Sequence, residues 1–276
     1  MRTWFLYGLA MMAAGVPVRA VVAQGTEHWD TGRADDCRDH WFNDDDATYC
    51  EVRITRLGRV AGPISVDAGE HGGIEIQGTD GDSVVVRSIV RAMAATDDAA
   101  RALAGQVRVV TDGRHLHAEG PAERHRMWWV VSYRIAVPRR ADLTLETVNG
   151  PVSVDGVNGQ MDLRAENGPV TLDRIGGDVH ARSENGPIDV ALIGPRWDGA
   201  GLDAETENGP VTLTLPSTYA AHLETGSETG PMSIHFPITV QGRIDSRHLA
   251  LDIGGGGPPV RIVTTNGPVV VKRGGS

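Results

Sequence analysis

Three glutamates occupy the same place in a repeated motif, and they are the first candidates for chemistry in this chain. Glu166, Glu184 and Glu207 each stand immediately before an Asn-Gly-Pro triplet. If the repeats stack, these carboxylates form a column in which neighbours repel by about 1 kcal/mol in water. A Ca²⁺ ion between adjacent repeats would relieve that repulsion. Because calcium takes more ligands than one carboxylate per repeat, a solvated acidic edge is the favoured interpretation, and a Ca²⁺ site is the alternative.

Two pairs of ring side chains are further candidates. His115 and His117 alternate with Leu116 on a predicted strand, so they share one face. Two histidines alone do not make a metal site, and surface histidines are therefore predicted. Trp128 and Trp129 direct one indole to each face of a strand. A core-plus-edge pair is favoured over an exposed stacking platform for a sugar or peptide.

The usual catalytic signatures are missing from the sequence. It contains no G-x-S-x-G, H-E-x-x-H or P-loop motif. The acidic run at 44–46 lacks the spaced ligands and closing glutamate of a calcium loop, so it predicts a solvated loop. The glycine run at 254–257 opens no helix and also predicts a loop. We therefore predict no catalytic residue and no cofactor, and the glutamate column is the only metal candidate, a weak one.

The chain has two cysteines, Cys37 and Cys50. An even count within a short exported segment favours a disulfide. Closing so short a loop would remove roughly 3 kcal/mol of unfolded-state entropy. The spacing fits neither CxxC nor a set of zinc ligands. A structural disulfide is therefore predicted, pinning an acidic leader at residues 24–51.

The first 23 residues have the form of a secretory signal. Arg2 precedes an apolar run too short to span a bilayer comfortably, and Val21 and Ala23 give the small-residue pattern that precedes cleavage. Cleavage is predicted before Gln24, with a cut after Ala20 as the alternative. No second apolar run of spanning length follows, so the mature chain is not expected to be an integral membrane protein. The expected location is the periplasm, the cell surface or the medium.

The charge of the chain excludes one class of partner. Lysine and arginine number 26 against 36 aspartates and glutamates, which gives a formal net charge of −10. An acidic protein repels phosphate backbones, so nucleic acid is not an expected partner. Cationic surfaces or divalent metals suit this charge better.

A repeat positions the candidate side chains. The Asn-Gly-Pro triplet begins at Asn149, Asn167, Asn185, Asn208 and Asn266, and Thr229-Gly230-Pro231 is a variant. A period near twenty residues is typical of repeat architectures. In each unit, Asn-Gly is expected to accept positive φ at a sharp corner, and proline to start a strand. The next residues alternate inward and outward around a narrow core that leaves no room for rings, consistent with 5% aromatic content.

The remaining elements complete the domain plan. Residues 52–140 predict an N-terminal β section with one short helix near 97–105, with Thr96 as its N-cap. Asp112-Gly113 predicts a β-hairpin. Residues 141–276 predict the repeat section, continuous with the preceding one. The closing "GPVVVKRGGS" predicts an edge strand blunted by its charges.

Two architectures satisfy this repeat. In a β-solenoid each unit is one coil, and equivalent residues stack about 4.8 Å apart. In an antiparallel meander each unit is a hairpin. Corners of constant composition favour the solenoid, because stacked turns allow ladders of asparagine side chains.

Two stretches resemble a known family. They are "YRIAVPRRADLTLETVNGPVSVDGVNGQMDLRAENGPVTLDRIGGDVHARSENGPIDV" at 133–190 and "VRIVTTNGPVVV" at 260–271. With them, residues 52–272 resemble the exported bacterial β-strand-repeat family catalogued as adhesins, a domain of unknown function similar in style to autotransporter adhesin heads. The resemblance implies an all-β, right-handed β-solenoid or β-helix-like stack of short strands, and an envelope or surface location. It brings no catalytic residues.

Two functions from different classes follow. The first is an exported, non-enzymatic β-repeat protein that presents a surface for binding or adhesion at the cell envelope. Its partner would be an envelope polymer, another protein or a further copy of the chain, since extended faces are what repeat proteins use for recognition. The alternative is a polysaccharide-acting lyase or hydrolase on the same scaffold. Clustered Asp, Arg and His in a deep groove would favour the enzyme.

Overall fold

The computed structural model describes residues 46–124, 126–235 and 247–274, together with Cys37 and Asp245. The predicted signal at 1–23, its cleavage positions and most of the acidic leader lie outside the described residues. The described part contains twenty strands and one helix, and the strands form two ten-stranded sheets. The predicted all-β solenoid with one short helix is confirmed.

Both sheets can be read in spatial order from one edge to the other. The first sheet consists of β1 (Ala47–Gly58), β4 (Val84–Ala94), β7 (Trp128–Pro138), β3 (Ile74–Thr79), β9 (Val152–Asp155), β11 (Val170–Asp173), β13 (Ile188–Ala191), β15 (Val211–Leu215), β20 (Val269–Arg273) and β17 (Met232–His235). The second sheet consists of β18 (His248–Ile253), β16 (Ala221–Ser227), β19 (Pro259–Asn266), β14 (Gly201–Asn208), β12 (Gly176–Ser183), β10 (Asn158–Ala165), β8 (Leu143–Thr147), β2 (Ile64–Asp67), β6 (His115–Glu119) and β5 (Arg108–Thr111). The helix α1 spans Asp97–Gln106.

Each coil of the regular repeat passes from the second sheet to the first through one Asn-Gly-Pro corner, which is Thr-Gly-Pro between β16 and β17. Strands β10 and β11 form one coil, and β12 and β13 form the next. Neighbouring coils pair in parallel, so Val152, Val170 and Ile188 lie in one column. A meander would pair successive repeats antiparallel. The parallel pairing therefore decides for the solenoid.

The core lies between the two sheets and follows the alternation along each strand. On β11, Val170 is fully buried and Thr171 is exposed. The expectation that the core leaves no room for rings is wrong, because Tyr133, Trp197 and Tyr219 are at most 2% exposed. Trp197 and Tyr219 lie in the longer connections after β13 and β15. Rings thus enter the core where a coil departs from the regular repeat.

The asparagines of the corners form a hydrogen-bonded ladder along one edge of the solenoid. In each rung, Nδ2 of one asparagine donates to Oδ1 of its neighbour. The rungs are Asn167 to Asn149 (2.9 Å), Asn185 to Asn167 (2.9 Å), Asn208 to Asn185 (3.0 Å) and Asn266 to Asn208 (2.9 Å). Asn149 donates to the Glu70 carbonyl at one end (2.8 Å), and Thr229 donates to Asn266 at the other (3.1 Å).

The corner glycines are required by close stacking. The expected positive φ is wrong, because positive φ in the described chain falls at other positions. A Cβ on Gly168 would lie 2.0 Å from the carbonyl oxygen of Gly150 in the adjacent coil. Only a residue without a side chain allows that approach. The proline sits as expected, since the ladder begins just after it: Val152 N donates to Pro169 O at 2.9 Å.

The spatial order of the coils departs from the chain order near the end. Strands β19 and β20 lie between β14 and β16 and between β15 and β17, respectively. Strands β16 and β17 therefore come earlier in the chain, and β19 and β20, which come later, lie between them and the preceding coil. The prediction that "GPVVVKRGGS" forms a blunted edge is wrong, because β20 has a neighbour on both sides.

Antiparallel strands form one end of the first sheet and both ends of the second, and α1 covers part of one end. Thr96 Oγ1 accepts a hydrogen bond from Ala99 N (3.3 Å) as the predicted N-cap. Leu103 and the two alanines beside it on that face are buried. Arg53 of β1 donates to the carbonyls of Ala104 (2.9 Å) and Val107 (2.6 Å), which fixes the last turn of the helix to the sheet.

A disulfide joins Cys37 to Cys50, with the two Cα atoms 5.7 Å apart. Cys50 belongs to β1, so the bond attaches the preceding segment to the edge of the first sheet. Strand β1 begins at Ala47, within the segment that the sequence assigns to the leader.

Candidate functional site

A cavity of about 630 Å³ opens on the outer face of the first sheet. It arises because β4 and β7 have 11 residues each, whereas β3 has 6 and β9 has 4. Tyr133 pairs with Ile74 at the start of β3, so residues 128–132 of β7 extend beyond that strand. This overhang forms the floor of the cavity, and the corners that precede β3 and β9 form a wall.

Outward-facing residues of the overhang give the cavity an apolar floor. Trp128 and Val130 alternate on β7, and Ile89 of β4 lies opposite Ser132. Ile89 is 3% exposed and Val130 is 8% exposed, although neither belongs to the core between the sheets. The Trp128 ring lies 5.8 Å from the His71 ring, with the planes tilted by 47°. Trp128 thus provides an aromatic surface on a rigid strand.

Polar groups surround that floor. Arg134 Nε lies 2.8 Å from Glu75 Oε2, and this ion pair occupies the end of the cavity next to β3. Ser132 Oγ accepts a hydrogen bond from Gly73 N (3.2 Å), which fixes the corner against β7. Arg91 also lines the cavity. A concave site of this volume with an apolar floor and a few placed polar groups is typical of ligand-binding sites.

Three possible metal ligands meet at the rim of this cavity. Ligand atoms of Glu70, His71 and Glu123 all lie within 4.8 Å of one another. All three side chains are exposed. Within the ranges that the structure describes, this is the only such group of three or more His, Cys, Asp or Glu side chains.

The glutamate column lines a second cavity, of about 570 Å³, on the outer face of the second sheet. The members of the column are Glu166, Glu184 and Glu207. Arg164 and Arg182 line the same groove, and Arg164 Nη1 lies 3.5 Å from Glu146 Oε1. The structure brings the glutamates to one groove, which two arginines also line. Calcium binding by this column stays a prediction.

The other candidates fall in different places. His117 Nε2 lies 3.6 Å from Glu119 Oε1, and no third ligand from the described chain joins this pair. Trp129 packs against the core, and its Nε1 donates to Pro121 O (2.9 Å). Its neighbour Trp128 lines the cavity, so the two indoles serve opposite faces. Asp46, the described member of the acidic run, accepts from Arg126 Nε (2.8 Å).

One buried hydroxyl lies beneath the cavity floor. Tyr133 is 1% exposed, and its hydroxyl has no hydrogen-bond partner among the described residues. Burial, with a smaller effect from Asp67, raises the pKa of Tyr133 well above its ordinary value. The phenol is therefore neutral at neutral pH.

Sequence reasoning missed this cavity. Glu70 and His71 are far from Glu123 in the sequence, and no motif connects them. The available signal was the length of "MWWVVSYRIAVP", which is too long for a strand of a short coil. A strand that is longer than its neighbour in the sheet predicts an overhang, and an overhang can form one side of a cavity.

The family model described as Toastrack DUF4097 matches residues 134–272, from within β7 to β20. No curated protein matches this chain. In the part of the chain that the structure describes, no helix has the length and apolar character needed to cross a membrane.

Several solved bacterial structures are similar to this chain over most of its length. A provisionally named cell adhesion protein of Clostridium sporogenes is 14% identical, with a TM-score of 0.44, and covers 82% of this chain and 100% of its own. A provisionally named adhesin of Bacteroides fragilis is 13% identical, with a TM-score of 0.39 and coverage of 82% and 97%. Another, from Parabacteroides distasonis, is 10% identical, with a TM-score of 0.36 and coverage of 80% and 97%. Identities this low say nothing of what this chain binds.

Proposed function

This chain belongs to the Toastrack DUF4097 family, and we propose that it is an exported, non-enzymatic binding protein of the cell envelope. Its ligand site is the cavity on the first sheet, and its ligand is a segment of an envelope saccharide. The observation that carries the proposal is Trp128, an aromatic ring that lines a cavity beside ion-paired polar groups. Sugar rings offer apolar faces to an indole and hydroxyls to charged groups, which is what this cavity provides.

Rigidity supports a binding role. The cavity is built on strands of a ten-stranded sheet, and the Gly73 to Ser132 hydrogen bond holds its corner in place. A preformed site loses little conformational entropy when the ligand binds. The apolar floor is therefore presented in its binding conformation before the ligand arrives.

Export is supported by two features of the chain. Residues 1–23 have the pattern of a secretory signal. The disulfide between Cys37 and Cys50 suits an oxidising compartment. Fractionation of cells that produce the full chain tests this part: recovery in the cytoplasm with residues 1–23 still attached would refute it.

The binding role is tested with saccharide fragments from bacterial envelopes. We expect them to change the fluorescence of Trp128 and to give measurable heats in calorimetry. Trp128→Ala should weaken binding by roughly tenfold or more, because it removes the stacking surface. Thr171→Ala, on the same face of the first sheet but outside the cavity, is the matched control and should bind as the wild type does.

Three outcomes would overturn the proposal. The first is equal affinity in Trp128→Ala and the wild type. The second is binding of envelope peptides with no saccharide binding, which would assign the cavity to a protein partner. The third is cleavage of the saccharide by the wild-type protein, which would establish the polysaccharide-acting enzyme instead.

A further inference from the structure

The rim of the cavity carries two carboxylates and an imidazole that face one another. Glu70 and His71 are consecutive residues of the corner that precedes β3, and Glu123 comes from the loop before β7. Their ligand atoms lie within 4.8 Å of one another. Around a tetrahedral Zn²⁺, ligand atoms lie about 3.3–3.5 Å apart, so small side-chain rotations would close this set around an ion.

The backbone of this group is held by the fold. Asn149 donates both its backbone N and its Nδ2 to the Glu70 carbonyl, each at 2.8 Å. The ring of His71 is flanked by Trp128. On the other side, Arg124 and Met127 exchange two backbone hydrogen bonds of 2.9 Å, which close the turn that immediately follows Glu123. Backbone hydrogen bonds thus hold Glu70 and the turn next to Glu123.

Among the described residues, no ion pair offsets the charge of these two carboxylates. Neither Glu70 nor Glu123 forms an ion pair with an arginine or lysine of the described chain. Nearby carboxylates differ, since Glu75 pairs with Arg134 at 2.8 Å. Two carboxylates held close together without a cation repel each other. A bound divalent ion would remove that repulsion.

We propose that Glu70, His71 and Glu123 form a binding site for a divalent transition metal of the Zn²⁺ type. An imidazole selects such metals over Ca²⁺ and Mg²⁺, which prefer oxygen ligands alone. Three protein ligands leave a tetrahedral ion one open position. Because His71 and Glu123 also line the cavity, that position is available to an oxygen of a molecule bound there. The metal site can be measured without any such ligand, so it is independent of the proposed function.

Titration calorimetry of the untagged, metal-free protein with ZnCl₂ is the first experiment. We expect one tight equivalent in the wild type, weakened at least tenfold by His71→Asn and by Glu123→Gln. Both side chains are exposed, so these variants should keep the wild-type circular dichroism spectrum and melting temperature without metal. Zn²⁺ should raise the melting temperature of the wild type and leave that of His71→Asn unchanged.

The chain offers a matched control in the His117–Glu119 pair on β6. It has the same residue types at 3.6 Å but no third ligand among the described residues. His117→Asn and Glu119→Gln should therefore keep the wild-type Zn²⁺ affinity. A paramagnetic ion placed at the site, such as Cu²⁺, should quench Trp128 fluorescence, and Trp128→Phe should remove that quenching.

The proposal is refuted if the wild type binds no Zn²⁺. It is also refuted if His71→Asn and Glu123→Gln bind Zn²⁺ as tightly as the wild type, because the ion would then bind elsewhere. Saccharide binding that persists in His71→Asn would separate the two proposals. The cavity would keep its proposed role, and the Zn²⁺ titration alone would decide the metal site.

Discussion

A column of buried hydroxyls lies behind the Asn-Gly-Pro corners, with one member missing. Thr147, Ser183, Thr206, Thr264 and Ser227 each donate to the carbonyl oxygen of a corner glycine in the adjacent coil. Ala165 holds the equivalent position between Thr147 and Ser183. It is 4% exposed and has no hydroxyl to donate. The sequence predicted alternation for the residues that follow each corner, and it gave no reason for the polar residues buried just before the corners.

The missing hydroxyl leads to a stabilising substitution. Ala165→Ser should donate to the Gly150 carbonyl and raise the free energy of unfolding by about 1 kcal/mol. Chemical denaturation measures this change. Ala191→Ser is the control, because Ala191 is on the outer face of β13 and its substitution should change stability by less than about 0.5 kcal/mol. A destabilised Ala165→Ser would show that this part of the column has no room for the oxygen.

At the level of elements, the corners show where the sequence was informative and where it was not. The recurrence of Asn-Gly-Pro predicted stacked corners, and the asparagine ladder supplies the contacts between them. The positive φ predicted for the corner glycines was wrong. Both positive φ and close approach of two coils select glycine, and here close approach is the cause. A single sequence does not separate these causes, since the separation between coils is a property of the assembled fold.

Substitution of a glycine by alanine tests whether close approach is the cause. Gly168→Ala places a Cβ 2.0 Å from a backbone oxygen, so it should destabilise the protein by more than about 3 kcal/mol or prevent folding. The same change at Gly105 meets no atom within 4 Å in helix α1, and it should stabilise the protein by about 0.5–1 kcal/mol. Thermal denaturation of the two variants measures both effects. Equal melting temperatures would contradict the stacking explanation.

The cavity also depends on the elements, because it results from a mismatch between the lengths of neighbouring strands. The difference in length between β7 and β3 produces its floor, and two segments distant in the sequence form its rim. The sequence predicted β7, yet the pairing of β7 with a much shorter strand follows from topology. The sequence therefore placed one indole of Trp128 and Trp129 on each face of the strand, whereas the association of Trp128 with Glu70, His71 and Glu123 required the fold.

At the scale of the whole molecule, the order of the coils is the main feature that the sequence left open. The corners at 208, 229 and 266 are unevenly spaced, but this spacing did not show that the last repeat lies between the two before it. Equivalent repeats present nearly the same surface to their neighbours. Between β17 and β19 the chain forms β18, which pairs antiparallel with β16 and carries no repeat signal.

This order predicts the effect of a shortened chain. A protein that ends at Pro258 lacks β19 and β20, so β16 and β17 lose their parallel neighbours. We expect hydrogen exchange to show loss of amide protection in β16, β17 and β18, and continued protection in β9, β11 and β13. Protection of β16 equal to that in the full chain would show that this hairpin is stable without the inserted coil.

The insertion of β19 and β20 has a consequence for the way the molecule is made. A chain that has reached residue 258 still lacks the strands that pair with β14 and β15, so the N–H and C=O groups along that edge of both sheets await partners. Until residues 259–273 pair there, that edge accepts any extended peptide of suitable sequence. A free peptide copying residues 259–273 would compete for the same place, so this protein carries within its own sequence a potential inhibitor of its assembly.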